Sequence, residues 1–343
     1  MKRIFVLLLT TGLVLSGFGK SDTGSSADSS SAAPAASGAK KLTIGLLPKA
    51  KGNPYFVSVA KGAQKAADEL GDTLIFDGPT NDDASKQNET VENWINSGVD
   101  VIAVAAEDKD SLSTPLRKAE AKGIKVVSFD ADVLPDARSF FVNQATPQGI
   151  GYALMDKAAQ LSGNTGEFAI ITASLTAANQ NEWRKYIEED LAKNYPNMKE
   201  VDFRPGNDDK TTSQTVATEL MSAHPNLKLI MAISSIAVPA AAEAVKQAGK
   251  IGTVNVIGLG LPNENKQYVH DGVTNCVILW NTGDLGYLTV QAADALVKGT
   301  LKPGDKTFKV GDKSYDIAGD KNDNILLGAP TVFDKSNIDQ FDF

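Results

Sequence analysis

Two successive series of five short apolar runs, each followed by a stretch with helical periodicity or a turn, constrain this chain more than any other feature. The first series is LTIGLLP, TLIFDG, VIAVAA (101–106), IKVVSFD (124–130) and SFFVNQ from 139. The second is FAIIT (168–172), MKEVDF, LKLIMA, VNVIG and VTNCVILW. Strand starts fall at about 42, 73, 99, 124 and 139, and again at about 167, 199, 227, 254 and 273. The intervals are roughly 31, 26, 25 and 15 residues against 32, 28, 27 and 19. Strands that alternate with helices at this spacing pair in parallel, because a parallel neighbour needs a long crossover. Runs without alternation, such as VIAVAA and LKLIMA, suit sheets buried on both faces.

The expected fold is therefore α/β, with two similar open parallel-sheet, Rossmann-like lobes joined by a hinge. Residues 42–143 plus about 282–305 would make lobe 1 and residues 144–281 lobe 2. The helix DLGYLTVQAADALVKG (284–299) should return to the first lobe. The tail, 306–343, holds a hairpin-like KVGDKSYDIAG and short extended pieces in NILLGAP and TVF, with no lobe assigned. A chain of 343 residues accommodates two such bodies, each with its own core.

Before the first strand, Lys2 and Arg3 precede the apolar IFVLLLTTGLVL. Residues 1–17 read as a secretory signal, too short to span a bilayer comfortably. VLSGF (14–18) resembles a bacterial lipoprotein signal, but Phe18 stands where the lipid-carrying Cys belongs, so there is no thiol to lipidate. Residues 18–40, rich in Ser and Ala, read as a disordered linker. The folded part is expected outside the cytoplasmic membrane, in the periplasm or on the membrane's outer face.

Several function classes lose support. The net charge is −8 and no basic run follows the first residues, which disfavours nucleic acid. The single cysteine, Cys276 in VTNCVILW, allows no intrachain disulfide and reads as a buried small hydrophobe. His224 precedes a Pro and His270 sits beside Asp271, so neither a nucleophilic triad nor a nitrogen/sulfur metal site is expected. GLGLPNEN lacks the third Gly of a dinucleotide fingerprint, and DKNDN lacks the Gly and Glu of a calcium loop. No cofactor and no catalytic residue is implied.

Ligands of open α/β sheets lie outside the carboxyl ends of the strands, and polar and aromatic residues gather there. Lys49, Asn53, Tyr55 and Phe56 follow the first strand, Asp130 and Asp132 the fourth, and Asn179, Gln180, Asn181 and Trp183 follow FAIIT. Ser234 and Ser235 follow LKLIMA, and Trp280, Asn281 and Asp284 follow the last strand. Neutral donors and acceptors beside large rings suit a sugar, whose hydroxyls both donate and accept and whose C–H faces are apolar. Asp130 stands out, since a carboxylate closing a buried strand needs a partner. Structural roles compete: Asn179 and Asn181 as helix caps, Ser234 and Ser235 as turn formers, Trp183 as core. Of Tyr55 and Phe56, one is expected to face the core and the other the cleft. Asp132 reads as a solvated loop residue, and Trp94 as core.

From about residue 42 to 343 the chain resembles a periplasmic sugar-binding protein of the ribose type, the solute receptor of an ABC importer and a type I periplasmic binding protein. It is most similar to the branch holding rhamnose-binding proteins and autoinducer-2 receptors. LPKAKGNPYF, DGPTNDD, KAEAKGIKVVSFDADV, TAANQNEW, GLGLP, LWNTGDLGY and SNIDQF carry the resemblance. It implies a hinged two-lobe receptor that closes over one small sugar and presents the closed form to a membrane permease, with a monomer expected. Lys49, Asp130 and Gln180 match polar ligand contacts. Asn179 stands where autoinducer-2 receptors have Asp, and Ile233 and Ser235 replace that pattern's Pro and Ala, while GLGLP, NQNEW and WNTGDLGY look more like the rhamnose-binding group, so the resemblance implies L-rhamnose or a similar deoxy-hexose first. Asn143 and Asn281 fall near the crossovers as hinge-adjacent contacts. A carbohydrate-acting enzyme and a sensor feeding a signalling receptor are the competing classes; a repressor is disfavoured by the signal at the N-terminus.

Overall fold

The computed structural model describes residues 40–343; the signal at 1–17, Phe18 and the linker up to residue 39 lie outside the described residues. The first five strands are β1 (Thr43–Leu47), β2 (Thr73–Phe76), β3 (Val101–Val104), β4 (Lys125–Phe129) and β5 (Phe140–Asn143). Between them run α1 (Pro54–Leu70), α2 (Ala84–Ser97) and α3 (Lys109–Ala121). The chain then crosses to α4 (Pro147–Ser162), β6 (Gly166–Thr172), α5 (Ala178–Asn194), β7 (Met198–Pro205), α6 (Lys210–Ala223) and β8 (Leu227–Ala232). It continues through α7 (Ala237–Gln247), β9 (Asn255–Gly258), α8 (Pro262–His270) and β10 (Thr274–Leu279).

Both sheets have one plan. The first orders its strands β2-β1-β3-β4-β5 and the second β7-β6-β8-β9-β10, all parallel. Each reverses direction of winding beside its first strand, and the loops after β1 and β3, and after β6 and β8, open a crevice there. These two α/β lobes are the architecture that the repeated rhythm predicts.

After β10 the chain returns as α9 (Thr282–Lys298), which packs along α1. Glycines permit that approach: a Cβ on Gly286 would overlap the Val59 carbonyl, and one on Gly62 the Gly283 carbonyl. The mirror contact in lobe 2 is α4 against α5, where a Cβ on Gly151 would lie 2.6 Å from Tyr186 Cβ. The tail then divides. β11 (Thr307–Val310) and β12 (Lys313–Ala318) form an antiparallel hairpin, and β13 (Asn324–Leu326) joins β5 in parallel, extending the first sheet. β14 (Thr331–Asp334) pairs antiparallel with β10 in the second sheet. Three connections thus pass between the lobes: β5 to α4, β10 to α9, and β13 to β14.

The core is built as the apolar runs require, with every residue of β3 and β5 buried. Trp94 packs behind the first sheet, close to Gly45. Cys276 is buried in β10, and burial pushes its thiol up to about 11. Among the described residues no helix is long and apolar enough to cross a membrane.

Candidate ligand-binding cleft

The carboxyl edge of β1 leads into Lys49, 5% exposed, and then to α1, where Asn53 caps the helix by accepting from the Tyr55 N–H at 2.9 Å. Pro54, at the first position, has no N–H to leave unsatisfied. This turn fixes Tyr55 and Phe56 at the helix entrance. The Lys49 Nζ lies 3.8 Å from Oε2 of Glu107, which follows β3.

Asp130 ends β4 in the left-handed region, φ 59°. A non-glycine residue there costs of order 1–3 kcal/mol and marks a position the surroundings enforce. The turn sends its carboxylate inward, where the Tyr55 hydroxyl donates to Oδ1 at 2.7 Å. Trp280, just past β10, donates its indole N–H to the same Tyr55 oxygen at 2.8 Å. Burial raises the Asp130 pKa above the ordinary carboxylate value, while the Lys49 charge and the Tyr55 hydrogen bond pull it back. Burial, reinforced by Asp130, pushes the Tyr55 phenol well above its usual value. Tyr55 is therefore a donor that orients the carboxylate from one side and leaves its remaining lone pairs for a ligand.

The second lobe faces these groups with neutral ones. Gln180 Oε1 accepts from the Thr172 hydroxyl and from the Ala173 N–H at 2.7 Å, which leaves its amide nitrogen as the donor available to the cavity. Asn179 Oδ1 accepts from the Gln180 N–H at 3.0 Å. Trp183, 4% exposed, meets Trp280 edge-on with centroids 6.2 Å apart, and Trp280 meets Tyr55 at the same separation. The aromatic chain thus spans both lobes.

Lys49, Asn53, Tyr55, Phe56, Asp130, Asn179, Gln180, Trp183, Ser234, Ser235 and Trp280 line one cavity. Both Tyr55 and Phe56 line it, against the expectation that they would divide between core and cleft; Phe56 stacks edge-on against Tyr55 and Phe129 at once.

Three predicted residues lie elsewhere. Asn181 is exposed and its amide donates to the Leu175 carbonyl at 2.9 Å, holding the loop before α5. Asn281 caps α9 by accepting from the Asp284 N–H at 3.0 Å, and opens onto a groove on the far side of Trp280. Asn143 is held in the sheet, opposite Leu326, with its carbonyl taken by the Leu327 N–H at 2.8 Å. Asp132, expected in solvent, is half-buried and clasps Arg138 through Nε at 3.0 Å and Nη2 at 2.8 Å. The second Arg138 contact, to Asp323 at 2.7 Å, ties the β4–β5 turn to the tail.

The structure also adds residues that sequence reasoning passed over. Asp208 lines the cavity from the β7–α6 loop and accepts from the Ser234 hydroxyl. It follows Asn207, and both are left-handed, φ 45° and 55°. Leu259, Leu279 and Ile233 supply an apolar wall. The signal for Asp208 was available: GNDD directly follows MKEVDFRP, at a strand carboxyl end like the others. Among the described residues no group of three or more His, Cys, Asp or Glu is arranged to hold a metal ion.

Comparison with known proteins agrees with this geometry. Residues 44–301 match the model of the periplasmic binding protein domain. The ribose import binding protein of Bacillus subtilis is 28% identical over 278 residues, covering 78% of this chain and 86% of that one. A solved ABC transporter solute-binding protein from Clostridium phytofermentas with bound L-rhamnose is 33% identical, covering 88% of this chain and 98% of that one with a TM-score of 0.84. LsrB from Clostridium saccharobutylicum in complex with AI-2 is 26% identical, covering 88% and 100%, with a TM-score of 0.83. The family binds small sugars for transport rather than transforming them, and works outside the cytoplasm with ABC permeases. By fold, by cleft and by these matches, the chain belongs to the periplasmic binding protein family, among the sugar-binding solute receptors of ABC transporters.

Proposed function

We propose that this receptor captures L-rhamnose or a closely similar deoxy-hexose as a monomer, by closing its two lobes over one molecule. The observation that carries the reading is the division of the cavity between polar and apolar groups. Lys49, Tyr55 and Asp130 on one side can bridge vicinal hydroxyls through charge-assisted bonds. Gln180, Asn179 and Ser235 offer neutral partners from the other lobe, and Trp183 and Trp280 offer ring faces for C–H surfaces. The wall of Ile233, Leu259 and Leu279 suits the methyl of a deoxy-sugar, where a full hexose would bury a hydroxyl without a partner. The solved relative with bound L-rhamnose supports the same ligand class.

Closure fits the division of contacts: a ligand touching both lobes binds the closed form more tightly and shifts the population toward it. AI-2 is the second reading, favoured by the LsrB likeness and weakened by Asn179, Ile233 and Ser235 in place of the Asp, Pro and Ala of that receptor pattern. A thermal-shift screen over L-rhamnose, other deoxy-hexoses, D-ribose, D-allose, D-arabinose and AI-2 tests both. The largest stabilisation is expected with L-rhamnose, together with a change in Trp fluorescence; the largest shift with AI-2 would replace the ligand, and none with any would reject the sugar reading.

A further inference from the structure

The mouth of the cleft carries a charge arrangement that sugar recognition leaves unused. Asp82, in the β2–α2 loop of lobe 1, and Asp208, in the β7–α6 loop of lobe 2, line the same opening. Their carboxyl groups come within hydrogen-bonding reach of each other. As ionised groups both can only accept, and Asp82 Oδ1 is accordingly buried with no hydrogen-bond partner. Asp208 is held in place by its left-handed backbone and by the Ser234 hydroxyl. A single proton resolves the arrangement, because a protonated Asp82 becomes a donor to the Asp208 carboxylate. The charged groups facing Asp82 are Asp208 from lobe 2, Glu107 after β3, and Lys49 after β1. Lys49 already lies beside Glu107 and also acts on Asp130, so its one charge is divided among the acids.

We propose that closure of the cleft takes up one proton from solvent, shared between Asp82 and Asp208 as a carboxyl–carboxylate bridge that latches one lobe to the other. The inference rests on the reading of capture by lobe closure; in an open form the two carboxyls separate into water. Burial, the Asp208 charge and the Glu107 charge, opposed by Lys49, push Asp82 up to about 7 in the closed form. A group whose pKa rises on closure favours the closed state at low pH and loses that effect as pH climbs through the raised value. Closure therefore strengthens about tenfold per unit as pH falls below 7, and levels off at about 4, where the open-form carboxyl also protonates.

Two arms test this on the mature protein. Without ligand, small-angle X-ray scattering should give a smaller radius of gyration at pH 5.5 than at pH 8.5. Asp82→Asn, whose amide donates to Asp208 without a titrating proton, should give the same radius at both. With L-rhamnose as probe, calorimetry in buffers of different ionisation heat should show affinity about 10- to 30-fold higher at pH 5.5 than at pH 8.5. Uptake should approach one proton near pH 6 and vanish at pH 8.5 and in Asp82→Asn. Wild-type scattering that ignores pH overturns the latch, as does a pH slope that survives in Asp82→Asn, which would put the proton on Glu107 or Asp130. If L-rhamnose fails to bind at any pH, the ligand reading falls and the scattering arm alone decides. If it binds with no proton uptake, the latch falls and the ligand reading stands.

Discussion

Lobe 1 and lobe 2 order their five central strands identically, yet the residues at their strand ends differ in kind. Lobe 1 presents charge: Lys49, Glu107 and Asp130, each with a partner on its own side of the cleft. Lobe 2 presents amides, hydroxyls and a Trp, with Asp208 as its acid. Charged groups already oriented by neighbours lose little freedom when a ligand arrives, so lobe 1 reads as the preorganised platform. Neutral groups are cheaper to desolvate, which suits the lobe that must come down and expel water. On the proposed reading, a shared fold carries an unequal division of labour, with anchoring on one side and covering on the other.

Removing the anchor should have the largest effect. Asp130→Ala removes the carboxylate that the proposal assigns two charge-assisted hydrogen bonds to the ligand, and should lower affinity by roughly 3–5 kcal/mol, abolishing measurable binding of L-rhamnose by calorimetry. Asp130→Asn keeps a residue tolerant of the left-handed turn, so it should retain the fold while losing most of the affinity; wild-type affinity in either variant would remove the carboxylate from the site.

Next come the glycine seams that hold the crossover helices. Gly286→Val would drive a side chain into the Val59 carbonyl, destabilising lobe 1 by roughly 1–3 kcal/mol or more in denaturant unfolding. Gly151→Ala meets Tyr186 Cβ and the Trp183 carbonyl at 2.6 and 2.8 Å. It should therefore disturb ligand affinity as well as stability, because Trp183 walls the cavity. Equal effects of the two on affinity would blur the proposed distinction.

Trp183→Leu keeps apolar bulk but removes the ring, and should weaken binding by roughly 1 kcal/mol, read by calorimetry. The smallest effect belongs to the covering lobe's hydroxyl: Ser235→Ala should cost about 0.5 kcal/mol of affinity, the low end for a neutral hydrogen bond. A loss at Ser235 as large as that at Asp130 would reverse the roles assigned to the two lobes.

Most of this plan could be read before any coordinates. Strand periodicity is a backbone property, so the doubled rhythm predicted two like sheets, and a carboxylate ending the buried run VVSF had to be held by something inside. Side-chain direction was less legible. Asn143 and Asn281 sit at crossovers as expected, but one is locked in a sheet and the other spends its oxygen on a helix N-terminus. Asn179 and Asn181 are two residues apart, about 200° around a helix, so both could not face the cavity. Asp208 went unseen because its aim depends on two consecutive left-handed residues, a conformation that GNDD permits without announcing. The tail was opaque for a further reason: its strands are short, and β13 and β14 add to different sheets, which no local pattern records.

The central claim is that both lobes grip one small sugar at the same time. A crystal structure of the protein grown with L-rhamnose tests it most directly. The account predicts one sugar bonded to Lys49 and Asp130 on one side and to Gln180 and Asn179 on the other, flanked by Trp183. A sugar held by one lobe alone, or an empty cleft with the sugar elsewhere, would contradict it.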